Sequence, residues 1–436
     1  MLGSVSTTPK SLDAYRPIIG DERVEEIAGL AQRLRGARVL NVNATAFGGG
    51  VAEILGTLVP LLNDVGLNAD WQVIKGADEF FHVTKAMHNS LQGMYYDWTP
   101  AMRDTWLTYN KLNADLFDED WDFVVIHDPQ PAAVLSFLEE RTGQRHGKWI
   151  WRCHIDLTDA QVQVWDFLRP HVAVYDGAIF TLPDYVMPDL QGPEVFCVAP
   201  AIDPLSPKNA DLPRETVDEI LSRYGVDPHR PMITQISRFD PWKDPLGVID
   251  VYRAAKREVP ELQLVMVASM ASDDPEGWDW YERTVRRAGE DFDIHILSNL
   301  NGVGNIEVNA FQRAAQVVIQ KSVREGFGLV VSEALWKGRP VVAGNVGGIP
   351  LQIIHGETGF LVSTNEECVD KVLHLLQHEQ EAAEMGRRGV EFVRDRFLTT
   401  RYLRDYLEIF LHLAEGTPAR AAVSGRPTEA QGTVRP

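Results

Sequence analysis

The sequence is short of cysteine and of basic residues, and it lacks any long hydrophobic run. Its three cysteines, Cys153, Cys197 and Cys368, lie far apart and show no metal-type spacing, which argues against a disulfide framework. No apolar stretch approaches the roughly 20 residues that a membrane-spanning helix requires. The N-terminal residues also lack the apolar segment of a secretory signal. We therefore predict a cytoplasmic protein without a membrane partner.

The charge balance limits the possible ligands. The 436-residue chain contains 42 Lys and Arg against 62 Asp and Glu, so its formal net charge is −20. A surface of this sign repels polyanions, which argues against nucleic acid as a partner. An anionic small molecule could bind only where the chain gathers cations locally.

Short apolar strands alternate with amphipathic helices along most of the chain. One series begins at ARVLNVNA (37–44), and a second begins at PMITQISRF (231–239). Between them, residues 199–213 carry four prolines and no amphipathic period, as expected of a linker. This alternation predicts an α/β protein with two Rossmann-like, doubly wound domains that face a cleft. Ligands of such folds bind beyond the carboxyl ends of the strands.

The predicted boundaries follow from the linker and from the composition of the C-terminus. We place the N-terminal domain at residues 1–205 and the C-terminal domain at residues 206–398. Residues 399–415 form a helix with one apolar face. Residues 416–436 are rich in Pro, Gly, Ala and Ser and are predicted to be disordered.

Three glycines, Gly48, Gly49 and Gly50, lie between the first strand and a helix. Backbone without side chains lets phosphate or sugar oxygens approach the amides of a helix N-terminus. The spacing is not G-x-G-x-x-G, and no acidic residue ends the next strand, which argues against a nicotinamide dinucleotide. A tight turn that binds nothing is the alternative.

A basic pair follows the first strand of the second half. Arg238 and Lys243, in SRFDPWKD (237–244), could hold a diphosphate together, the arginine as a planar fork and the lysine as a point charge. The alternative is a solvated surface pair.

Two glutamates frame a glycine-rich loop in SVREGFGLVVSEALWKG (322–338). Glu325 precedes Gly328, which opens a helix and so creates a site that favours anions. Glu333 lies inside that apolar helix, where a buried carboxylate is costly without a partner. Carboxylates accept the paired hydroxyls of sugars well. For Glu325, a simple interaction with the helix dipole is the alternative.

Two strands of the first half end in histidine and aspartate. VVIHDPQPA (124–132) contains His127 and Asp128, and WRCHID (151–156) contains His154 and Asp156. These positions allow polar side chains to reach the cleft from its other wall. The acidic stretches 118–122 and 291–293 match a D-x-D metal pattern, but we interpret them as solvated turns and predict no metal site.

The motifs of the second half resemble those of the retaining nucleotide-sugar glycosyltransferases with the GT-B fold, above all the E-x7-E element formed by Glu325 and Glu333. In the first half, NVNATAFGGGVAEIL, VVIHDPQPA and the linker IDPLSPKN are similar to those of the trehalose glycosyltransferring synthases. The resemblance implies retaining transfer of glucose from ADP-glucose or UDP-glucose to free glucose, which gives α,α-trehalose. The leaving diphosphate would assist deprotonation of the acceptor.

The resemblance also implies roles for individual residues. The catalytic residues would be His154, Arg238, Lys243 and Glu325. The donor would contact Gly48, Gly49, Gly50, Arg238, Lys243, Glu325, Gly326, Phe327, Gly328, Leu329 and, through its ribose, Glu333. The acceptor would contact His127, Asp128, Gln130 and Asp156. The helix 399–415 would cross back to the first domain. No cofactor or metal is obligatory, while activation by a divalent cation such as Mg²⁺ and a homodimeric assembly are compatible with the family.

Three alternatives stay open. A trehalose phosphorylase resembles this family and uses phosphate in place of a nucleoside diphosphate. A trehalose-6-phosphate synthase would need a second cationic pocket in the first domain, for which Arg152 and Lys85 are the candidates. A sugar-nucleotide sensor would bind the same ligand without turnover.

Overall fold

The computed structural model describes residues 2–47, 49–117, 120–268, 270, 275–417 and 419–421. These residues form two compact units. The first contains the described residues of Met1–Pro200 and of Thr399–Pro436, and the second is Ala201–Leu398. The division after residue 200 lies close to the boundary predicted after residue 205, and most of the proline-rich linker belongs to the second unit.

The first unit is built on a seven-stranded sheet. Its strands are β1 (Gly3–Ser4), β2 (Arg38–Asn43), β3 (Asn68–Val73), β4 (Phe123–His127), β5 (Lys148–Arg152), β6 (Gly177–Phe180) and β7 (Glu194–Cys197). They lie in the order β1-β3-β2-β4-β5-β6-β7, and every pair is parallel except β1 with β3. Strands β4 and β5 are almost wholly buried, as strands covered by helices on both faces are.

Helices cover this sheet. They are α1 (Arg16–Ile19), α2 (Asp21–Arg33), α3 (Gly50–Asp64), α4 (Asp78–Leu91), α5 (Pro100–Asp115), α6 (Val134–Thr142) and α7 (Val162–Val172). The start of α5 illustrates how the sequence sets a boundary, because Thr99 accepts a hydrogen bond from Met102 N–H at 3.3 Å and Pro100 occupies the first turn. Five tryptophans of the core are buried completely or nearly so: Trp98, Trp106, Trp149, Trp151 and Trp165.

The second unit contains a six-stranded parallel sheet. Its strands are β8 (Met232–Ser237), β9 (Gln263–Ala268), β10 (Ile294–Ser298), β11 (Val317–Gln320), β12 (Val341–Gly344) and β13 (Gly359–Val362). They lie in the order β10-β9-β8-β11-β12-β13. The helices are α8 (Arg214–Arg223), α9 (Pro245–Glu258), α10 (Pro275–Ala288), α11 (Asn305–Ala314), α12 (Leu329–Trp336), α13 (Asn365–Gln377) and α14 (Glu379–Arg396). The prediction of two doubly wound α/β halves is confirmed.

The last helix, α15 (Thr399–Glu415), belongs to the first unit and packs against α2 and α3. The ring of Phe410 stacks on Phe123 of β4, with 4.5 Å between the ring centroids. Beyond this helix, Arg420 N–H donates to Glu408 at 3.0 Å, and the Ala421 carbonyl accepts from Cys197 N–H at 2.8 Å. Arg420 and Ala421 thus contact the first unit, and the disorder of residues 416–436 stays a prediction. The remainder of that tail, residues 418 and 422–436, lies outside the described residues.

In each sheet the strand order reverses at an interior strand, and this topology indicates which loops are expected to bind ligands. Strand β2 lies between β3 and β4, and β8 lies between β9 and β11. Successive connections therefore run in opposite directions from these strands, which opens a crevice at their carboxyl ends. The loops after β2 and β4, and those after β8 and β11, are thus the expected sites. Among the described residues, no helix combines the length and apolar character needed to cross a membrane.

Candidate functional site

Lys243 and Glu325 meet at the switch point of the second unit. Lys243 ends a 3-10 turn (Pro241–Lys243) that follows β8, and Glu325 lies in the loop after β11. Lys243 Nζ lies 2.5 Å from Glu325 Oε2, and the two side chains are only 13% and 11% exposed. Gln320 and Ser322 donate to the same carboxylate oxygen at 3.3 and 3.2 Å. A cation and an acid are thus held together where such sheets bind ligands.

The backbone that carries Lys243 is tightly held. Asp240 begins the turn and accepts a hydrogen bond from Lys243 N–H at 3.2 Å. Gln235, in β8, donates to the Lys243 carbonyl at 2.7 Å. Asp244 has a φ of 48°, caps helix α9 and pairs with Lys321. Left-handed backbone is uncommon outside glycine and concentrates at functional sites.

Glu325 is ionised in this setting. Burial by itself raises the pKa of a carboxyl group, because it takes the charged form out of water. Against burial, the charge of Lys243 and hydrogen bonds from Lys243, Gln320 and Ser322 hold the pKa of Glu325 below its ordinary value. The carboxylate is therefore available to accept hydroxyl groups.

Glycine is favoured where the loop after Glu325 meets helix α12, and again in the loop that packs against it. Gly328 has a φ of 80°, and a Cβ added there would lie 3.1 Å from Glu325 Cγ. Gly348 approaches from the next loop, where an added Cβ would lie 2.6 Å from the Gly326 carbonyl oxygen. The side chain of Glu325 therefore folds over Gly328, beside the first-turn amides of α12, which begins at Leu329.

Gln352, which sequence reasoning missed, holds this loop in place. Its side-chain amide donates to the carbonyls of Phe327 and Gly328, at 2.5 and 3.3 Å. Its oxygen accepts from the backbone N–H and the hydroxyl of Ser332, at 3.0 and 2.5 Å. Gln352 is completely buried. A lone glutamine in the segment GGIPLQIIHG forms no motif, so its contacts were not predictable from its spacing.

Arg238 does not share the environment of Lys243. Its side chain is 63% exposed, and Nη2 lies 3.2 Å from Asp240 Oδ2. Burial raises the pKa of Asp240, and the charges of Arg238 and Lys243 oppose that rise. The two predicted cations therefore flank one aspartate, Arg238 on the solvent side and Lys243 on the side of Glu325.

Glu333 is buried with a partner that the sequence did not suggest. Its side chain is 1% exposed, and Oε1 lies 3.0 Å from Lys208 Nζ, in the predicted linker. Gln312 donates to Oε2 at 3.4 Å. Burial raises the pKa of Glu333, but the charges of Lys208 and Lys337 bring it below its ordinary value. Glu333 was expected to bind the ribose of the donor, but in the structure its carboxylate already contacts Lys208.

The linker around Lys208 is fastened to the second unit by several side chains. Asn309 donates to the carbonyls of Pro207 and Ala210, at 3.0 and 2.7 Å. Lys337 Nζ lies 2.7 Å from Asn209 Oδ1. Burial lowers the pKa of Lys337 to about 7, although Glu333 favours its charged form. The proline-rich segment is therefore an anchored part of the second unit.

The first unit brings two of the predicted histidines together. His127, at the end of β4, is 1% exposed, and its Nδ1 lies 3.0 Å from Nε2 of the half-buried His154. His127 Nε2 lies 3.1 Å from Asn41 Oδ1, in β2. Both ring nitrogens of His127 are thus engaged with protein groups. Its expected contact with the acceptor stays a prediction, and Asn41 is a participant that sequence reasoning missed.

Arg152, which pairs with His127 in the register of β4 and β5, is a fully buried cation. Nη2 donates to the Val198 carbonyl at 2.8 Å, while Nε and Nη1 have no hydrogen-bond partner among the described residues. Burial, together with the charge of Arg152, lowers the pKa of His127 to about 3 and that of His154 well below its ordinary value. Arg152, one of the two candidates for the second cationic pocket of a trehalose-6-phosphate synthase, is thus completely buried.

The other predicted acceptor residues follow the same strands. Asp128 has a φ of 64°, and its Oδ1 accepts from His154 N–H at 2.8 Å. Burial raises the pKa of Asp128 to about 6. Asp156 accepts from the N–H and hydroxyl of Thr158, at 2.9 and 2.6 Å, so it also braces its own loop. The Oε1 atom of Gln130 is buried and has no hydrogen-bond partner among the described residues.

The glycine loop is described in part. Gly49 has a φ of 91° and directly precedes Gly50, the first residue of α3. An added Cβ at Gly49 would meet nothing within 4 Å, so the requirement for glycine there comes from the backbone conformation. Gly48 lies outside the described residues. The loop therefore does present a helix N-terminus at the carboxyl end of β2, as the motif predicted.

The acidic stretches hold no candidate metal centre in the part of the chain that the structure describes. Asp291 and Asp293 both pair with Lys256, at 3.1 and 2.7 Å, and Asp293 also pairs with Arg230 at 2.7 Å. These hydrogen bonds, the one from Arg230 first, lower the pKa of Asp293 to about 2. Asp118 and Glu119 lie outside the described residues.

Comparison with known proteins adds two family matches. The family model described as trehalose synthase, N-terminal domain, matches residues 41–187, and the model for glycosyl transferases group 1 matches residues 217–392. A trehalose synthase of Rubrobacter xylanophilus is 55% identical over 95% of this chain and 99% of its own length. One from Thermococcus litoralis is 50% identical over 92% of this chain and 96% of its own.

More distant matches come from one curated sequence and one solved structure. A trehalose phosphorylase of Pleurotus pulmonarius is 28% identical over 81% of this chain and 54% of its own length. The solved sucrose-phosphate synthase of Thermosynechococcus elongatus superposes with a TM-score of 0.66 at 15% identity, covering 87% of this chain and 100% of that one. Likeness at this identity concerns the fold alone, and it confirms the predicted GT-B class.

Proposed function

We propose that this chain, which belongs to the trehalose synthase family of the group 1 glycosyl transferases, transfers glucose from ADP-glucose or UDP-glucose to free glucose. The product would be α,α-trehalose, formed with retention at the anomeric carbon. The observation that carries the proposal is the Lys243–Glu325 pair at the switch point between β8 and β11. It supplies a cation for a diphosphate and a carboxylate for sugar hydroxyls, beside a helix N-terminus.

The second unit would bind and activate the donor. As the bond between glucose C1 and the β-phosphate oxygen breaks, negative charge grows on the diphosphate. Lys243 and Arg238 would neutralise that charge, and fixed cations of this kind supply several kcal/mol of transition-state stabilisation. Arg238 is exposed enough to move onto the phosphates, whereas the turn around Lys243 holds it in place.

Glu325 would bind hydroxyls of the donor glucose, and the amides of Gly326, Phe327, Gly328 and Leu329 would line the same pocket. The loop depends on Gln352, which fixes two of its carbonyls. Glu333 would accept hydrogen bonds from the ribose hydroxyls, and these would replace its contact with the ammonium group of Lys208. The glycines at 48–50 would close over donor and acceptor.

The first unit would supply the acceptor side. His154 would lie by the anomeric centre, with Asp128, Gln130 and Asp156 contacting the acceptor glucose. The acceptor hydroxyl would attack C1 on the face that the diphosphate leaves, and its proton would pass to the departing phosphate oxygen. One C–O bond breaks and one forms on the same face, which retains configuration without a nucleophilic carboxylate. No resident cofactor is required, and Mg²⁺ would act as an activator at most.

Product analysis tests this proposal. Purified protein is mixed with ¹³C-labelled glucose and either ADP-glucose or UDP-glucose, and the disaccharide is identified by NMR. We expect α,α-trehalose and one nucleoside diphosphate for each trehalose. Another linkage, or only free glucose, would overturn the assignment. A parallel reaction of trehalose with inorganic phosphate detects a phosphorylase, and binding of the nucleotide sugar without release of nucleoside diphosphate identifies a sensor.

A further inference from the structure

Three polar side chains of the first unit form a chain that ends at His154. Asn41 Oδ1 lies 3.1 Å from His127 Nε2, and His127 Nδ1 lies 3.0 Å from His154 Nε2. Asn41 and His127 are buried, at 0% and 1% exposure, whereas His154 is half-buried. The two rings are within 18° of parallel. Asn41, at the start of this chain, therefore acts on any ligand only through the two rings.

The chemistry of each group sets the direction of this chain. An amide oxygen only accepts hydrogen bonds, so His127 must carry a proton on Nε2. A neutral imidazole has one N–H, which leaves His127 Nδ1 as an acceptor. The nitrogen that faces it, His154 Nε2, must then be the donor. His154 Nδ1 is left with a lone pair, and it has no hydrogen-bond partner among the described residues.

This argument requires both rings to be neutral, and their surroundings ensure it. Arg152 is completely buried, and its charge opposes a further positive charge on either ring. Asp128 is the acidic group nearest in the chain, but its Oδ1 accepts the backbone N–H of His154. Burial first, and the charge of Arg152 second, lower the pKa of both histidines. The rings therefore stay neutral at physiological pH.

We propose that Asn41 and His127 are positioning residues that hold His154 in the tautomer with Nε2 protonated and Nδ1 bare. His154 then accepts a hydrogen bond from a sugar hydroxyl and cannot donate one to a sugar oxygen. The identity of that ligand rests on the proposed function, but the tautomer does not. A side chain that only accepts hydrogen bonds selects a sugar with a free hydroxyl at the point of contact and rejects a sugar that lacks this hydroxyl.

The tautomer can be read directly from the full-length protein by ¹⁵N NMR. Histidine-selective labelling gives signals for 12 histidines, and the His127→Gln and His154→Gln variants identify two of them. We expect a protonated Nε2 and a bare Nδ1 on both rings at neutral pH. A protonated Nδ1 on His154, or a fully protonated ring, would overturn the proposal. The His154→Gln variant alone assigns the decisive signal in the wild-type spectrum, so the test does not depend on His127→Gln being folded.

Two variants then test the part played by Asn41. Asn41→Leu removes the acceptor, so His154 should become a mixture of tautomers. The value of kcat should then fall about tenfold, which corresponds to the net free energy of one hydrogen bond. Asn41→Gln keeps a neutral amide oxygen, which avoids charging His127, and should retain more of the Nε2-protonated form than Asn41→Leu. His171→Gln is the control, because His171 is another largely buried imidazole and contacts Ser136 instead. An unchanged His154 tautomer in Asn41→Leu would contradict the proposal.

The spectra test the positioning role and the activity assay tests the proposed function, so either claim can be wrong without the other. If the protein makes no trehalose but His154 shows a bare Nδ1, only the proposed function is wrong. If trehalose forms and His154 carries its proton on Nδ1, only the positioning role is wrong.

Discussion

Replacing Lys208 by methionine should destabilise the buried surroundings of Glu333. Methionine keeps most of the length of the lysine side chain but removes its charge. The carboxylate, 1% exposed, would lose a partner at 3.0 Å and, among the described residues, keep one hydrogen bond, from Gln312 at 3.4 Å. An unpaired buried charge is one of the few changes that costs a protein several kcal/mol.

The magnitude follows from what remains around Glu333. Breaking a fully buried ion pair costs about 3–5 kcal/mol. Lys208 is 16% exposed, which reduces that figure. Lys337 also remains, and its pKa, lowered to about 7 by burial, would rise once the repulsion from Lys208 is gone. It would then compensate part of the charge, so we expect a loss of about 2 kcal/mol near neutral pH.

The pH dependence has a definite sign. In the wild type, the pKa of Glu333 lies below its ordinary value, so the pair stabilises the fold at neutral pH and this contribution is lost only as the pH falls through that pKa. In Lys208→Met, Lys337 loses its proton at alkaline pH and Glu333 is left alone. The cost of the substitution should therefore be larger at about pH 9 than at pH 7.

Hydrogen exchange measured by mass spectrometry is the suitable assay, because a chain of two compact units does not guarantee a single unfolding transition. Peptides from α12 and from residues 203–211 should lose protection in Lys208→Met. Arg286→Met, which breaks an exposed pair with Glu282, is the matched control and should change protection by less than about 0.5 kcal/mol.

The double variant Lys208→Met with Glu333→Gln separates the charge from the packing. Removing both charges should restore most of the protection, since the cost of the single change lies in the unpaired carboxylate. Unchanged exchange of α12 in Lys208→Met would refute the reasoning. So would a double variant whose loss equals the sum of the two single losses.

Two further predictions concern the sites themselves. Gln352→Leu should raise the KM for the nucleotide sugar about tenfold, because it removes the hydrogen bonds of the buried Phe327 C=O and Ser332 N–H. Gln352→Glu still accepts from Ser332, so its KM should lie between those of the wild type and Gln352→Leu. An unchanged KM in Gln352→Leu would contradict the role of Gln352 in holding the loop. If Asp128 binds the acceptor as a carboxylate, kcat/KM for glucose should fall as the pH drops through about 6, the raised pKa of Asp128. Asp128→Asn should remove this decrease of kcat/KM at low pH. A midpoint near the ordinary aspartate pKa of about 4 would contradict the assignment.

The sequence predicted the elements that carry a local pattern. Alternating strands and helices, Gly328 at a helix start and the loop residues Lys243 and Glu325 were all readable, because period and turn chemistry are properties of neighbouring residues. Lys208, Gln352 and Asn41 were not, because each is a single polar residue whose partner lies elsewhere in the chain. Asn41 and His127, for example, are 86 positions apart.

The sequence also did not predict in which direction the side chains of a correctly predicted loop point. Arg238 and Lys243 share one loop and were expected to act together. The structure turns Lys243 inward to Glu325 and leaves Arg238 63% exposed beside Asp240. That difference depends on the Asp240 cap and on Gln235 below the turn, which are contacts made only after the strand and the turn have folded.

The pairing of acids and lysines in the second unit bears on how an acidic protein could bind a nucleotide sugar. Glu325 holds Lys243 and Glu333 holds Lys208, so both cations are kept in place by carboxylates. A nucleotide sugar offers hydroxyls and phosphates together. In the proposed complex each carboxylate would turn from an ammonium group to sugar hydroxyls, and each ammonium group would become available to the diphosphate. Because partners are exchanged, no buried charge is left alone, and the desolvation of both ions is already part of the folded state. A ligand with only phosphates, or only hydroxyls, would satisfy one side of each pair and leave the other uncompensated. Under the proposed function, the two pairs would therefore favour a ligand that carries both groups, as ADP-glucose and UDP-glucose do and inorganic phosphate does not.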